Sequence, residues 1–250
     1  MKSSISYEID NRNPEEKKRF IQKLFDSIVP TYDLLNHVLS MGTDILWRRN
    51  IFRHIYSVRD RRALDLCCGT GDLSLLLHKK DARVVSLDFS MSMLRRGISK
   101  KALKGHPIAA DACLIPFKDN TFSVATIAFG IRNIPDIDNF IKDVFRVLAP
   151  GGQLAILELV RPENKLIRIV YTFYLHKLLP FIGGIISGRK LAYTYLSKTI
   201  STFIDQPDLK IMLNQHGFNK VTFHPQTLGV ATIIVCEKTD SAKETPESSK

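Results

Sequence analysis

Apolar residues in the middle of the chain gather into short unbroken runs at Ala63–Leu66, Arg83–Asp88, Pro107–Ala110, Phe122–Phe129 and Gln153–Leu159. Strands of a parallel sheet read this way because helices cover both of their faces. Helical patterns separate the runs. One spans Asp72–Lys79, a second starts at the natural cap Ser90 and continues to about Leu103, and a third spans Asp136–Leu148 before the breaker Pro150-Gly151-Gly152. A last helix over Pro207–His216 precedes two strands, Lys220–His224 and Val230–Glu237. Only Pro225–Gly229 lies between these two, too little for a parallel return, so they form an antiparallel hairpin at the sheet edge. The pattern predicts an α/β fold with a doubly wound, seven-stranded sheet.

The flanks behave differently. Pro14–Asn50 reads as helical with interspersed aromatics and forms an N-terminal helical cap. Residues 161–203 are an apolar insertion, suited to a lid over a substrate. Within it Leu166–Gly188 is apolar enough to raise a membrane span, but Arg168, His176, Lys177 and Pro180 are costly in hydrocarbon, and it is expected not to cross. Residues 1–238 read as a single domain, and the polar tail 239–250 as disordered. The first twenty residues lack the apolar core of a signal peptide, so the expected location is cytoplasmic.

A length of 250 residues suits one such domain. The formal charge of +11 fits an anionic partner: nucleic acid, an anionic membrane surface or a charged cofactor. It equally fits a solvated basic surface. Cys67, Cys68, Cys113 and Cys236 show neither a C-x-x-C pair nor metal-ligand spacing, so no metal is expected.

The chemistry concentrates at strand ends. Ala63–Leu77, ALDLCCGTGDLSLLL, is an apolar run that reaches an acid, passes a Gly-x-Gly turn and opens a helix. Gly69 and Gly71 let backbone approach a ligand, and Asp88 stands where a carboxylate accepts from ribose hydroxyls. A nicotinamide fingerprint would need glycine at Ser74, and a P-loop pattern is absent. The turn and Asp88 suit an adenosine-containing cofactor, and acids stand at three successive strand ends, Asp65, Asp88 and Asp111.

This arrangement resembles the class I S-adenosylmethionine-dependent methyltransferases, whose fold also ends in an antiparallel hairpin. The resemblance assigns Asp65 to the methionine amino group, and Gly69, Thr70 and Gly71 to the backbone around methionine and ribose. It assigns Asp88 to the ribose hydroxyls, and Asp111 with the Ala112 amide to the adenine edge. Tyr32–Trp47, YDLLNHVLSMGTDILW, Phe129–Asn133, FGIRN, and Arg146–Glu158, RVLAPGGQLAILE, further resemble the ubiquinone/menaquinone-biosynthesis C-methyltransferases. Departures fall at Asp44, where that family usually has histidine, and at Ser123, Ala128, Val160 and Lys198-Thr199.

The resemblance implies methylation of a ring carbon on a polyprenyl hydroquinone, with demethylmenaquinol preferred over the ubiquinol precursor. A phenol of pKa near 10 is only about 0.1% ionised at pH 7, a deficit of roughly 4 kcal/mol, so a base or a phenolate-stabilising cation is needed. Arg132 is the candidate; it cannot be the base, but it can hold a water that is, and stabilise the oxyanion. Its alternative is an ion pair with Asp136 or Asp138. Tyr32, Asn36, Trp47 and Asn133 are candidates for the substrate pocket or for plain packing. Ile169–Ile186 either lines a channel for the prenyl tail and docks on a peripheral membrane surface, or buries its own faces as a helix pair. A small-molecule O-methyltransferase and a non-catalytic binder of the cofactor stay open, as do a homo-oligomer and partners from quinone biosynthesis. Nucleic acid is disfavoured, because strand four ends in Gly-Ile-Arg-Asn rather than Pro-Pro-aromatic and no arginine-rich run is present.

Overall fold

The computed structural model describes residues 14–188 and 190–239; the tail expected to be disordered lies, from residue 240 on, outside them. Seven strands form one sheet: β1 Arg62–Leu66, β2 Arg83–Asp88, β3 Ile108–Ala109, β4 Phe122–Ala128, β5 Leu148–Leu159, β6 Phe218–Gln226 and β7 Ala231–Lys238. Their order is β3-β2-β1-β4-β5-β7-β6. The first five are parallel, and β7 runs antiparallel between β5 and β6. Order reverses between β1 and β4, so both strands present their carboxyl ends at the crevice where doubly wound sheets bind ligands.

Alternate strand residues supply two cores. Leu64, Leu66, Leu154 and Ile156 pack under helices α6 (Ile137–Val147) and α10 (Gln206–Gln215), while Ala63, Val124, Ala155 and Leu157 face α3 (Thr43–Asn50) and α4 (Asp72–His78). The second helix after the sheet begins, α5 (Met91–Ser99), is capped by the Ser90 hydroxyl, which accepts from Met93 N–H. It ends four residues before the expected Leu103. Lys101 turns left-handed, and the amides of Ala102 and Leu103 both donate to the Gly97 carbonyl, a closure that ends a helix. β5 begins five residues earlier than expected: Pro150-Gly151-Gly152 breaks the helix but is taken up inside the strand, beside a register shift against β4.

The cap comprises α1 (Pro14–Ile28), α2 (Tyr32–Leu39) and α3. The insertion comprises α7 (Lys165–Phe173), a π-helical turn at Tyr174–Leu178, α8 (Leu179–Ser187) and α9 (Lys190–Thr202). Pro180 explains the turn, since it has no N–H to give and its ring crowds the carbonyl four residues back; the wider turn relieves both. Lys165–Ile185 is by length and composition apolar enough to cross a membrane. One face of that run, with Leu175 and Leu179, is buried against Ile21, Leu24, Ile28 and Leu35 of the cap, forming a third core.

Candidate functional site

After β1 the chain turns through Cys67, Gly69 and Gly71, all with positive φ. At Gly71 the requirement is steric as well: a Cβ there would lie 2.5 Å from Leu103 Cδ2. The turn brings the amide of Gly69 to Asp88, whose other oxygen accepts from Ser90 N–H, each at 2.8 Å. Asp88 thus locks two strand-end loops together and keeps further lone pairs for a ligand. Burial pushes its carboxyl up to about 6. Asp65 is also raised to about 6 by burial, although Ser74 and Thr126 hydroxyls donate to its two oxygens at 2.5 and 2.9 Å. Asp111 accepts from the Cys113 amide at 2.9 Å and pairs with Lys18 of α1. Cys67 and Cys68 are turn residues whose thiols burial holds well above their ordinary range, as expected of packing groups rather than nucleophiles.

These groups line two adjoining hollows. The first has Gly69, Asp88, Asp111 and Ala112 for its floor and Lys18 and Phe25 of the cap above. The second, smaller one gathers Asp65, Gly69, Thr70 and Asp72 with Arg48 of α3. The Thr70 hydroxyl does not point free into it. It donates to Asp33 of α2 at 2.5 Å and accepts from Lys100, which also reaches Asp33 and Asp72.

Beside both hollows, under the insertion, lies a cavity of about 620 Å³ with an almost wholly apolar lining. All five residues singled out for the substrate side, Tyr32, Asn36, Trp47, Arg132 and Asn133, line it. Tyr32 borders this cavity and both hollows, so its ring stands at the junction. Trp47 is fixed by a hydrogen bond from its indole N–H to Thr227 (2.8 Å), and Asn133 accepts from Tyr195 (3.1 Å), whose hydroxyl burial raises to about 12. Met41, Leu166, Val170 and Leu228 line the cavity and are also largely exposed, which marks its mouth.

Arg132 follows β4 in a 3-10 turn, Ile131–Asn133. The expected alternative partners are otherwise engaged: Asp136 caps α6 by accepting from Asn139 N–H, and Asp138 pairs with His216. Arg132 instead pairs, through Nη1, with fully buried Glu158 at the end of β5, which also accepts from Leu159 N–H at 2.7 Å. Burial raises the Glu158 carboxyl, while Arg132 opposes that shift. Arg132 Nε is buried with no hydrogen-bond partner. Such an orphan is costly unless a ligand oxygen completes it.

Two residues of the site escape the sequence reading. Glu158 is legible there only as a strand end, and its pairing follows from β5 lying beside β4. Arg48 has nothing in the sequence to set it apart from Arg49, yet it is 6% exposed and its guanidinium lies 4.9 Å above the Phe129 ring. It donates to Asp44 at 2.5 Å, and Asp44 also bonds His37 and Ser40. Burial would raise the Asp44 carboxyl, but Arg48, His37 and Ser40 together hold it below its ordinary value. His37, Asp44 and Asp72 lie close enough to suggest a cation site, and Arg48 already places its charge beside both carboxylates.

This chain is similar to known methyltransferases. A demethylmenaquinone methyltransferase of Thermus thermophilus is 41% identical over 220 residues, 86% of this chain and all of the relative. A ubiquinone/menaquinone biosynthesis C-methyltransferase UbiE of Geobacter sulfurreducens is 39% identical over 89% of this chain and 90% of its own. A solved SAM-dependent methyltransferase of Thermotoga maritima, described as a possible histamine N-methyltransferase, matches with a TM-score of 0.64 over 87% of this chain and 99% of its own; at 16% identity it speaks for the fold alone. The model of the ubiE/COQ5 methyltransferase family matches residues 12–238, and the chain belongs to that family.

Proposed function

We propose that this protein transfers a methyl group from S-adenosylmethionine to a ring carbon of a polyprenyl hydroquinone, with demethylmenaquinol as the preferred acceptor. The observation that carries the reading is Arg132. It lines an apolar cavity large enough for a bicyclic ring and the start of a prenyl chain, and buried Glu158 pairs with its guanidinium through Nη1.

The donor supplies a methyl group on a positively charged sulfur. The strand-end residues fit it: Asp88 has lone pairs for the ribose hydroxyls, Asp111 and the Ala112 amide suit the adenine edge, and Asp65 with the Gly69–Thr70–Gly71 turn suits the methionine end. On the substrate side, the Arg132 guanidinium donates to the ring hydroxyl oxygen, or to the water that takes its proton, and stabilises the phenolate as it forms. The electron pair released into the ring makes the neighbouring carbon the nucleophile. As the carbon–carbon bond forms, the methyl–sulfur bond of the donor would break with its electron pair left on sulfur; the ring carbon then gives its proton to water and aromaticity returns. Tyr32, Asn36, Trp47 and Asn133 hold the ring within reach of the methyl group, which is where much of the rate enhancement lies.

The prenyl tail leaves through the mouth at Met41, Leu166, Val170 and Leu228. From there an exposed stripe, Leu166, Ile169, Val170, Phe173 and Phe181, continues along the insertion. Its spacing of three and four residues puts these side chains on one helix face, the form of an interfacial rather than a spanning helix. The chain therefore works at the cytoplasmic surface of a bilayer, where the +11 charge adds attraction to anionic lipid.

The test is transfer of labelled methyl from S-adenosylmethionine to reduced demethylmenaquinone, with the single-ring ubiquinone precursor in parallel. Label in the naphthoquinol is expected. Label in neither quinol, with the donor still bound, overturns the reading and leaves O-methylation or a non-catalytic binder. Flotation with anionic liposomes tests the surface: binding that weakens with salt is expected, and absence of binding to anionic and neutral liposomes alike refutes it.

A further inference from the structure

The smaller hollow has a charge problem that one residue solves. The methionine end of the donor carries an ammonium and a carboxylate side by side. Asp65 and Asp72 face the hollow, and Asp33 stands just behind Thr70; these suit the ammonium and repel the carboxylate. Among the described residues lining it, Arg48 is the only cation.

Its guanidinium is built in rather than loosely placed. Phe129 covers one face, Nη1 is held by the Asp44 carboxylate and, at 3.3 Å, by the Asp44 carbonyl, and the residue is nearly inaccessible to bulk water. Nη2 is different. It lies 3.9 Å from the Asp72 carboxylate, beyond hydrogen-bond distance, and makes no hydrogen bond among the described residues. A planar fork with one branch fixed and the other free is the arrangement that receives a carboxylate. Asp44 is the carboxylate that fixes Arg48, itself steadied by His37 at 2.9 Å and Ser40 at 2.8 Å.

We propose that Arg48 binds the carboxylate of the methionine moiety of S-adenosylmethionine, with Asp44 as its positioning residue. This rests on the placement of the donor at the strand ends proposed above. It also gives Arg48 a different task from Arg132, although both border the large cavity: one anchors the donor, the other acts on the ring.

The experiment compares Kd for S-adenosylmethionine and for decarboxylated S-adenosylmethionine by titration calorimetry on the full chain. The wild type is expected to prefer the carboxylated ligand by about 10- to 100-fold, the range of a hydrogen bond between charged groups. Arg48→Gln should abolish that preference while leaving affinity for the decarboxylated ligand near wild type, and Arg48→Lys should keep part of it. Equal affinity of the wild type for both ligands overturns the proposal without any variant. So does an Arg48→Gln chain that folds and still discriminates; if such a chain loses only turnover, Arg48 serves the ring. Asp88→Asn separates the two readings: it should weaken both ligands equally, and if it weakens neither, the placement of the donor fails rather than the role of Arg48.

Discussion

Glu158→Gln is the substitution that most directly tests how Arg132 is held. The carboxylate is fully buried and is the only acidic partner of Arg132 among the described residues. Glutamine preserves volume but replaces one acceptor oxygen with an NH₂ group, and it removes the charge opposite a guanidinium whose side chain is 8% exposed. Removing one member of a buried pair costs about 3–5 kcal/mol, and an isosteric amide belongs at the lower end, about 3 kcal/mol. For a chain of this size each kcal/mol lowers Tm by about 2–4 °C, so the variant should melt about 6–12 °C below wild type. The catalytic effect should be larger than the stability loss suggests. A guanidinium without its counter-charge turns away from the ring, and misplacement on the ångström scale costs about 100-fold in rate. Differential scanning fluorimetry, calorimetric Kd for S-adenosylmethionine, and labelled-methyl turnover measured well below both melting points separate these effects. The expected pattern is a lower Tm, an unchanged donor Kd and a kcat reduced about 100-fold. A lower Tm with unchanged kcat would falsify the assignment of Arg132 to the reacting ring.

Three more outcomes follow from the geometry. Because burial raises both Asp65 and Asp88 to about 6, and the charged carboxylates are the acceptors, donor affinity should hold above pH 6 and fall below it, by about tenfold per pH unit for each group that must ionise; calorimetry across pH 5–8 reads this, and an Asp88→Asn chain with the same profile sinks it. Gly71→Ala puts a Cβ 2.5 Å from Leu103 and an L residue at φ +89, so it should lose about 2–4 kcal/mol, visible as a shifted urea midpoint; a loss no larger than that of an exposed helical substitution contradicts the steric argument. Leu166→Asp with Val170→Asp should abolish liposome flotation and raise KM for the prenylated quinol while leaving donor Kd unchanged; retained flotation would move the membrane contact elsewhere.

The strand-end logic of the sheet was legible because apolar runs bounded by acids and glycines carry their own signature, and each predicted strand is present, β2 at its predicted ends and the others with ends moved by one to five residues. The shifts have local causes, such as the strand taking up Pro150-Gly151-Gly152, that periodicity does not encode. Likewise, Tyr32, Asn36, Trp47, Arg132 and Asn133 could be gathered by resemblance, but that they share one cavity depends on how the cap folds back over the sheet. Arg132 and Glu158 are 26 residues apart, and their pairing depends on β4 and β5 lying side by side, whereas Asp136 and Asp138 are the acids close to Arg132 in sequence. Arg48 shows the limit most clearly, since a basic pair after a tryptophan gives no sign of which arginine turns inward.

The third core has consequences for how this protein opens. Helices from the cap and from the insertion, α1 and α2 with α8 and α9, share apolar burial with each other, whereas several of the links from the cap to the sheet are polar: Lys18 to Asp111, Asp26 to Ser90, Asp33 to Lys100. Amide exchange should therefore find these four helices opening together as one cooperative unit, at lower free energy than the sheet. Salt loosens exposed ionic seams and leaves apolar ones intact. With the donor placed at the strand ends as proposed, release of the spent donor past α1 is expected to quicken with ionic strength, and the proposed contact with anionic lipid to weaken with it.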